Sequence, residues 1–318
     1  VTKDVPAGVY RGEVKVKGEG EQWRIPVSLR VLDFELPSPK GYYKPDLDFR
    51  VASYNYLGLD IIMAHNGGDA PLAVKQYEAL MRDQAAHNQL LSMSRVGSPF
   101  CYEFRLQYDA QKRAGMCTDP YFAGAVIPYD VMNNLAACAT NALLQQKRLD
   151  REYGHHNVYV TFGDEPSSEW QRKTRPVFEV YQRCGYKFCI AGNEQTYNPN
   201  GYLWDWFNCA AEPTDDHLVK LWSDTLDIPV AWYAQHHVGT ENPAFQRRQN
   251  GMGAWLTGYT ALDNYAHHLG SWNDDRTTYK PMVYVYGIYG GPLGTIQWEG
   301  FREGIDDMRY ATLMSALA

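Results

Sequence analysis

The sequence predicts an α/β fold: a TIM (β/α)8-type barrel preceded by the last strands of a β-sandwich. Three observations predict it. From Gly41 onward, short apolar runs alternate with helical stretches, which is the pattern of a parallel sheet covered by helices. The length of that stretch matches the ~250 residues typical of such barrels. No GxGxxG follows the first run, which weighs against the alternative, an open doubly wound sheet.

Residues 1–40 read as strands plus a linker. Gly8 to Lys17 alternates apolar and polar residues, Gly18 to Glu21 forms a turn, and Trp23 to Leu32 alternates again. Two or three strands do not make a stable sandwich alone, so further strands are expected upstream. Leu36-Pro37-Ser38-Pro39 is a stiff linker, because proline fixes its own φ and restricts the residue before it. The barrel is expected over 41–318. Its strands are expected at Phe49–Tyr54, Leu90–Ser94, Val158–Phe162, Tyr186–Ile190, Ile228–Tyr233 and Pro281–Tyr286. Helices are expected at Pro71–His87, Asp130–Tyr153, from Ser167 or Ser168 to Arg183, Thr214–Leu226 and from Thr295 to the end. Asp130 can cap the second of these, while Gly154 and Gly185 can stop the second and third. Trp298, Phe301, Ile305 and Met308 share one face of the last helix, where Arg302 and Asp306 are spaced to form an ion pair.

Composition narrows the function classes. Hydrophobic residues make up 45% and charged residues 21%, enough apolar content for a real core and against disorder. A net charge of −7 without a basic stripe argues against nucleic-acid partners. No run of roughly 18 apolar residues is present to insert into a bilayer. The six cysteines form no CxxC pair; their even number is compatible with disulfides or with free thiols. The chain begins at Val1 without a signal peptide, as a processed protein or a segment of a longer one would. Aromatic residues reach 14%, with 24 Tyr and 9 Trp, residues that pair an apolar face with a polar handle.

In a TIM barrel the reacting groups lie past the C-terminal ends of the strands. There the sequence offers Val158-Tyr159-Val160-Thr161-Phe162-Gly163-Asp164-Glu165-Pro166, two adjacent carboxylates closing a buried strand. Neighbouring residues of a strand point to opposite faces, but a turn at the strand end can bring both into one pocket. Two close carboxylates raise each other's pKa, which suits one of them as a proton donor. Asp164 and Glu165 are therefore the candidate catalytic residues. Trp204, Trp232, Tyr233, Asp263, Tyr265, His268 and Trp272 are the candidate substrate-binding residues. Aromatic rings stack on the C–H faces of a pyranose, and Asp and His bond its hydroxyls. Helix capping and barrel packing are the competing readings of these positions. Three adjacent histidine pairs lack the i, i+4 spacing of a helical zinc site, and neither GxSxG nor GxxxxGK[ST] occurs, so no metal or other cofactor is expected.

Three segments together resemble a known family. Val31-Leu32-Asp33-Phe34-Glu35-Leu36-Pro37, after PAGVYRGEVKV, resembles the sandwich–barrel junction of glycoside hydrolase family 123 and its relatives. Gly163-Asp164-Glu165-Pro166 resembles their catalytic pair, and Trp298 to Tyr310 their last barrel helix. The resemblance implies a retaining β-N-acetylgalactosaminidase that uses substrate assistance. In it Glu165 would be the general acid/base, and Asp164 would hold the 2-acetamido group whose carbonyl oxygen attacks the anomeric carbon. It implies a glycan as the partner and an extracytoplasmic location. Two alternatives stay open. One is a conventional two-carboxylate glycosidase, with Glu194, Asp205 or Asp263 on the opposite face of the sugar. The other is a non-catalytic carbohydrate-binding or matrix protein on the same fold.

Overall fold

The computed structural model describes residues 4–94, 98–124, 126–128, 132–192, 201–209, 216–233, 242–268 and 283–318. Its first element is an antiparallel hairpin of β1 (Gly8–Gly18) and β2 (Glu21–Val31), in continuous register from Gly8 opposite Val31 to Gly18 opposite Glu21. The period of two puts Tyr10, Val14, Val16, Trp23, Ile25, Val27 and Leu29 on one face. That apolar face is uncovered: Trp23 is 49% exposed and Ile25 52%. The other face is polar, and there Arg24 pairs with Glu13 at 2.9 Å.

The linker after the hairpin is tied to the last helix. Arg309 donates to the carbonyls of Leu36 and Pro37, at 2.7 and 2.9 Å. The backbone N–H of Lys40 donates to Thr312 Oγ1, and the Lys40 carbonyl accepts from Trp255 Nε1.

Among the described residues the barrel has eight parallel strands: β3 (Arg50–Asn55), β4 (Met93–Ser94), β5 (Tyr121–Ala123), β6 (Val158–Asp164), β7 (Lys187–Gly192), β8 (Trp206–Cys209), β9 (Val230–Trp232) and β10 (Ala261–His268). Neighbours in the sheet are neighbours in sequence, except that β10 pairs with β3 and closes the circle. The hydrogen-bonded sheet has its edges at β4 and β5, and these two lie against each other at the seam.

The helices are α1 (Leu59–His65), α2 (Ala70–Ala86), α3 (Tyr102–Arg113), α4 (Leu135–Tyr153), α5 (Ser168–Arg183), α6 (Asp216–Leu226), α7 (Pro243–Arg248), α8 (Ala254–Thr257) and α9 (Ile296–Leu317). Side-chain caps start several of them: Asp69 for α2, Asn134 for α4, Ser167 for α5 and Thr295 for α9. Gly154 ends α4 at φ 83°, a left-handed conformation glycine adopts without a Cβ penalty.

Several elements differ from the sequence expectation. Strand β5, strand β8, strand β10 and helix α3 were not expected. The strand expected at Pro281–Tyr286 is not the last barrel strand. That place belongs to β10, while Val285–Ile288 (β11) and Gly291–Gly294 (β12) form a separate antiparallel hairpin. The physical reason is that β10 reads ALDNYAHH, too polar to be recognised as a buried strand, yet Asp263, Asn264, His267 and His268 are all buried. Helix α4 begins at Leu135, capped by Asn134; the expected cap Asp130 lies outside the described residues.

Two apolar layers result. The inner one takes residues from every barrel strand: Ala52, Met93, Phe122, Tyr159, Cys189, Trp206, Ala231 and Ala261. Phe122, Tyr159 and Trp206 meet with ring centroids 5.3–5.6 Å apart and fill the space that three alanines leave. The Arg50 guanidinium caps this plug, donating to the Tyr159 hydroxyl at 3.0 Å and lying over the Trp206 ring. The outer layer, between strands and helices, holds most of the remaining core, including Trp204, Trp232, Trp298 and Phe301. All six cysteines are free thiols.

Helix α9 packs backbone to backbone on the segment from α7 to Gly253. A Cβ on Gly300 would sit 2.3 Å from the Pro243 carbonyl oxygen, and one on Gly304 2.6 Å from that of Arg247. Arg247 adds a two-pronged bond to Asp307, at 2.7 and 2.8 Å. Gly300→Ala should therefore destabilise the fold by about 2 kcal/mol or more, the range of an overpacked core. Thermal unfolding measures this, and an unchanged midpoint would contradict the close packing.

Candidate active site

The site is built at the C-terminal end of β6. Thr161 pairs with Cys189 of β7, but Asp164 pairs with Ala191, so β6 carries one extra residue between the two pairs. Without that bulge Asp164 would take the opposite parity to Thr161 and face the helices. With it, Asp164 is in register with Ala191, two residues beyond the inward-facing Cys189. Gly163 adopts φ 91° within this irregularity. Glu165 follows at φ 43°, the left-handed region that costs a non-glycine residue about 1–2 kcal/mol. Its backbone N–H still donates to the Ala191 carbonyl at 3.1 Å.

The Glu165 side chain reaches across the barrel mouth to β9. Tyr233, just past the end of β9, donates its hydroxyl to Glu165 Oε1 at 2.6 Å. β6 and β9 are separated by β7 and β8 in the sheet, so this one bond spans a large part of the mouth. Both carboxylates act on Tyr233. Burial, the bond to Glu165 and the charges of Glu165 and Asp164 push its ionisation far above the ordinary tyrosine range. Asp164 and Glu165 themselves are exposed at the mouth.

The mouth is walled by tyrosines. Tyr54 ends β3, with its ring 6.0 Å from Tyr233 and 5.8 Å from Tyr265; Tyr56 lies 5.5 Å from Tyr265. Beneath them is a polar layer centred on Asn208 of β8. Trp206 Nε1 donates to Asn208 Oδ1 at 2.6 Å, and Asn208 Nδ2 donates to the Tyr54 hydroxyl at 2.9 Å and to Asp263 Oδ2. Asp263 is fully buried, and its other oxygen, Oδ1, has no hydrogen-bond partner among the described residues. Burial raises its carboxyl well above the usual range, only partly opposed by the Asn208 amide.

The candidate residues separate cleanly by position. Asp164, Glu165, Tyr233 and Tyr265 come together at the mouth. Asp263 points into the barrel but one layer below. His268 is buried at the end of β10, in register with Asn55. Trp232 lies on the outer side of β9, stacked near Tyr259, because its neighbour Tyr233 takes the inner parity. Trp204 is also in the outer layer, 2% exposed, with its ring against Phe178. Neither tryptophan presents a face to the mouth. Trp272 lies outside the described residues, as does Glu194. Asp205 precedes β8 at the opposite end of the barrel, where it accepts from the Phe188 N–H at 2.8 Å. Sequence reasoning missed Tyr54, Tyr56 and Asn208. The signal for the first two was the Tyr-Asn-Tyr run at the end of the first barrel strand.

No protein-family profile and no curated protein matches the chain. Solved structures do share its fold. A GH5_18 protein from Streptomyces cattleya, in complex with GlcNAc, aligns at TM-score 0.54 and 11% identity, over 86% of this chain and 81% of that one. An endo-β-1,4-mannanase from Thermotoga petrophila aligns at 0.51 and 10%, over 83% and 77%. An FMN-binding β-glucuronidase from Facaelibacterium prausnitzii aligns at 0.51 and 12%, covering 92% of this chain; this chain spans half the length of that protein. The chain has the barrel fold of these glycoside hydrolases.

Asp263 makes stability depend on pH. Its folded pKa is raised, so the proton is held more tightly in the fold than in the unfolded chain. Its contribution to stability is complete below the unfolded carboxylate value of ~3.9 and is lost as pH rises toward the folded value. Asp263→Asn removes this term and can still accept from Asn208. The variant should gain in thermal midpoint relative to the parent as pH rises from 4 to 9. A difference independent of pH would contradict a neutral buried carboxyl.

Proposed function

We propose that the chain is a glycoside hydrolase of the family 123 kind, acting with Glu165 as general acid/base. The observation that carries this is the adjacent Asp164–Glu165 pair turned into a tyrosine-walled barrel mouth. A general acid must sit where a glycosidic oxygen can approach it, and both carboxylates are solvent-accessible there. The uncovered apolar face of the β1–β2 hairpin fits the accompanying β-sandwich reading, since a lone two-stranded sheet is marginal in water.

The sharper version is substrate assistance by a 2-acetamido group. A conventional pair needs its two carboxyls ~5–5.5 Å apart across the bond for retention, or ~6.5–9.5 Å for inversion. Of the three residues considered for the opposite face, Asp205 is at the far end of the barrel, Asp263 is buried a layer down, and Glu194 lies outside the described residues. An internal nucleophile on the sugar removes the need for that second carboxylate. In the first step Glu165 protonates the glycosidic oxygen as its bond to the anomeric carbon breaks. The acetamido carbonyl oxygen forms the new bond to that carbon, and Asp164 accepts from the amide N–H. In the second step water adds to the anomeric carbon, Glu165 takes its proton, and the oxazoline opens with net retention.

Glu165→Gln should lower kcat by about 10²–10⁴ with substrates that need a proton on the leaving group, while the fold survives. Aryl glycosides with and without a 2-acetamido group test the sharper version. Turnover of only the acetamido substrates, blocked by a thiazoline, is expected. Cleavage of plain hexosides that thiazoline leaves untouched would reject substrate assistance. Saturable glycan binding without any released sugar would point instead to a binding protein.

A further inference from the structure

We propose that Tyr233 is the positioning residue that decides which oxygen of Glu165 carries the transferable proton; this rests on the acid/base reading of Glu165. The argument is geometric. The ring of Tyr233 is buried, at 4% exposure, so it is not a platform for a sugar. Only its hydroxyl edge reaches the mouth, and it meets Glu165 Oε1 at 2.6 Å. A phenol has one hydrogen to donate. Given to Oε1, it makes that oxygen an acceptor and leaves Oε2 as the atom that can bear the acid proton.

This arrangement holds through both halves of a turnover. Oε1 accepts from Tyr233 whether Glu165 is an acid or a carboxylate, so the bond need not break as the proton moves on and off Oε2. The opposite arrangement, with Glu165 donating to Tyr233, would place the catalytic proton on the oxygen facing away from the substrate. It would also have to be remade after every proton transfer. Two neighbouring carboxylates and burial oppose a phenolate, which keeps Tyr233 a donor. The bond also offsets the cost of the left-handed backbone at Glu165 by fixing its side chain from the far side of the barrel.

The test separates proton delivery from general damage. In Tyr233→Phe the ring and its packing remain, and only the donor is lost. With an alkyl or sugar leaving group, which needs a proton, kcat should fall about ten- to a hundredfold at near-constant KM. With a dinitrophenyl leaving group, which needs none, kcat/KM, which reports only the step that expels the leaving group, should stay within about twofold. An equal fall for both substrates would reduce Tyr233 to a structural residue, and a rise in KM for both would make it a sugar contact; either overturns the proposal. A second readout does not depend on turnover. The infrared carboxyl bands of Glu165, assigned by their loss in Glu165→Gln, should move in Tyr233→Phe. Bands that stay in place would overturn the proposal even if no glycoside is cleaved, whereas moved bands without any turnover would sink the glycosidase reading and leave the Tyr233–Glu165 bond standing.

Discussion

A β-strand shows successive side chains to opposite faces, and the one extra residue in β6 breaks that rule where the site needs it broken. In a regular strand, Asp164 would turn toward the helices. The bulge resets the parity, Gly163 and Glu165 take left-handed conformations, and two neighbouring carboxylates come to the same mouth. The strain at Glu165 is held by its N–H on Ala191 and its side chain on Tyr233. The tyrosine wall, the Asn208 layer and the aromatic plug below them form the rigid floor on which this irregular turn stands.

The inner filling of the barrel changes character from its lower end toward the mouth. Bulky Phe122, Tyr159 and Trp206 occupy the lower part, with Arg50 sealing them from below. Above them the interior turns polar, with Asn208 bonded at both ends of its amide and Asp263 sharing it. Burial of Asp263 in that layer disfavours a charge beneath the reacting pair. Among the described residues, Asp164 and Glu165 are the carboxylates exposed at the end of β6, and Tyr233 bonds one of them.

Much of this was legible in the residues, and the exceptions have physical causes. The Gly163-Asp164-Glu165-Pro166 strand end stood out because charged residues rarely close a run like Val158 to Phe162. The ends of α5 and α9 were marked by Ser167 and Thr295, whose side chains cap the helices as their types suggest. Strand β10 was hidden, because its buried polar residues find partners in other segments: Asp263 on Asn208, and Asn264 on the Tyr284 hydroxyl. Trp204 and Trp232 were attractive as sugar platforms by type, but their parity sends them outward. Once Tyr233 is inside, Trp232 cannot be, and that constraint was available in the sequence. Much of the aromatic excess serves packing, and among the described residues the rings at the mouth are tyrosines.

The central claim is that Asp164 and Glu165 act together on one sugar at this mouth. A crystal structure with a bound 2-acetamido thiazoline tests it most directly. The account predicts the sugar between Tyr54, Tyr265 and the end of β6, its thiazoline ring nitrogen within hydrogen-bond distance of Asp164, and Glu165 Oε2 turned to the anomeric carbon. A ligand seated elsewhere, or one at the mouth touching neither carboxylate, would contradict it.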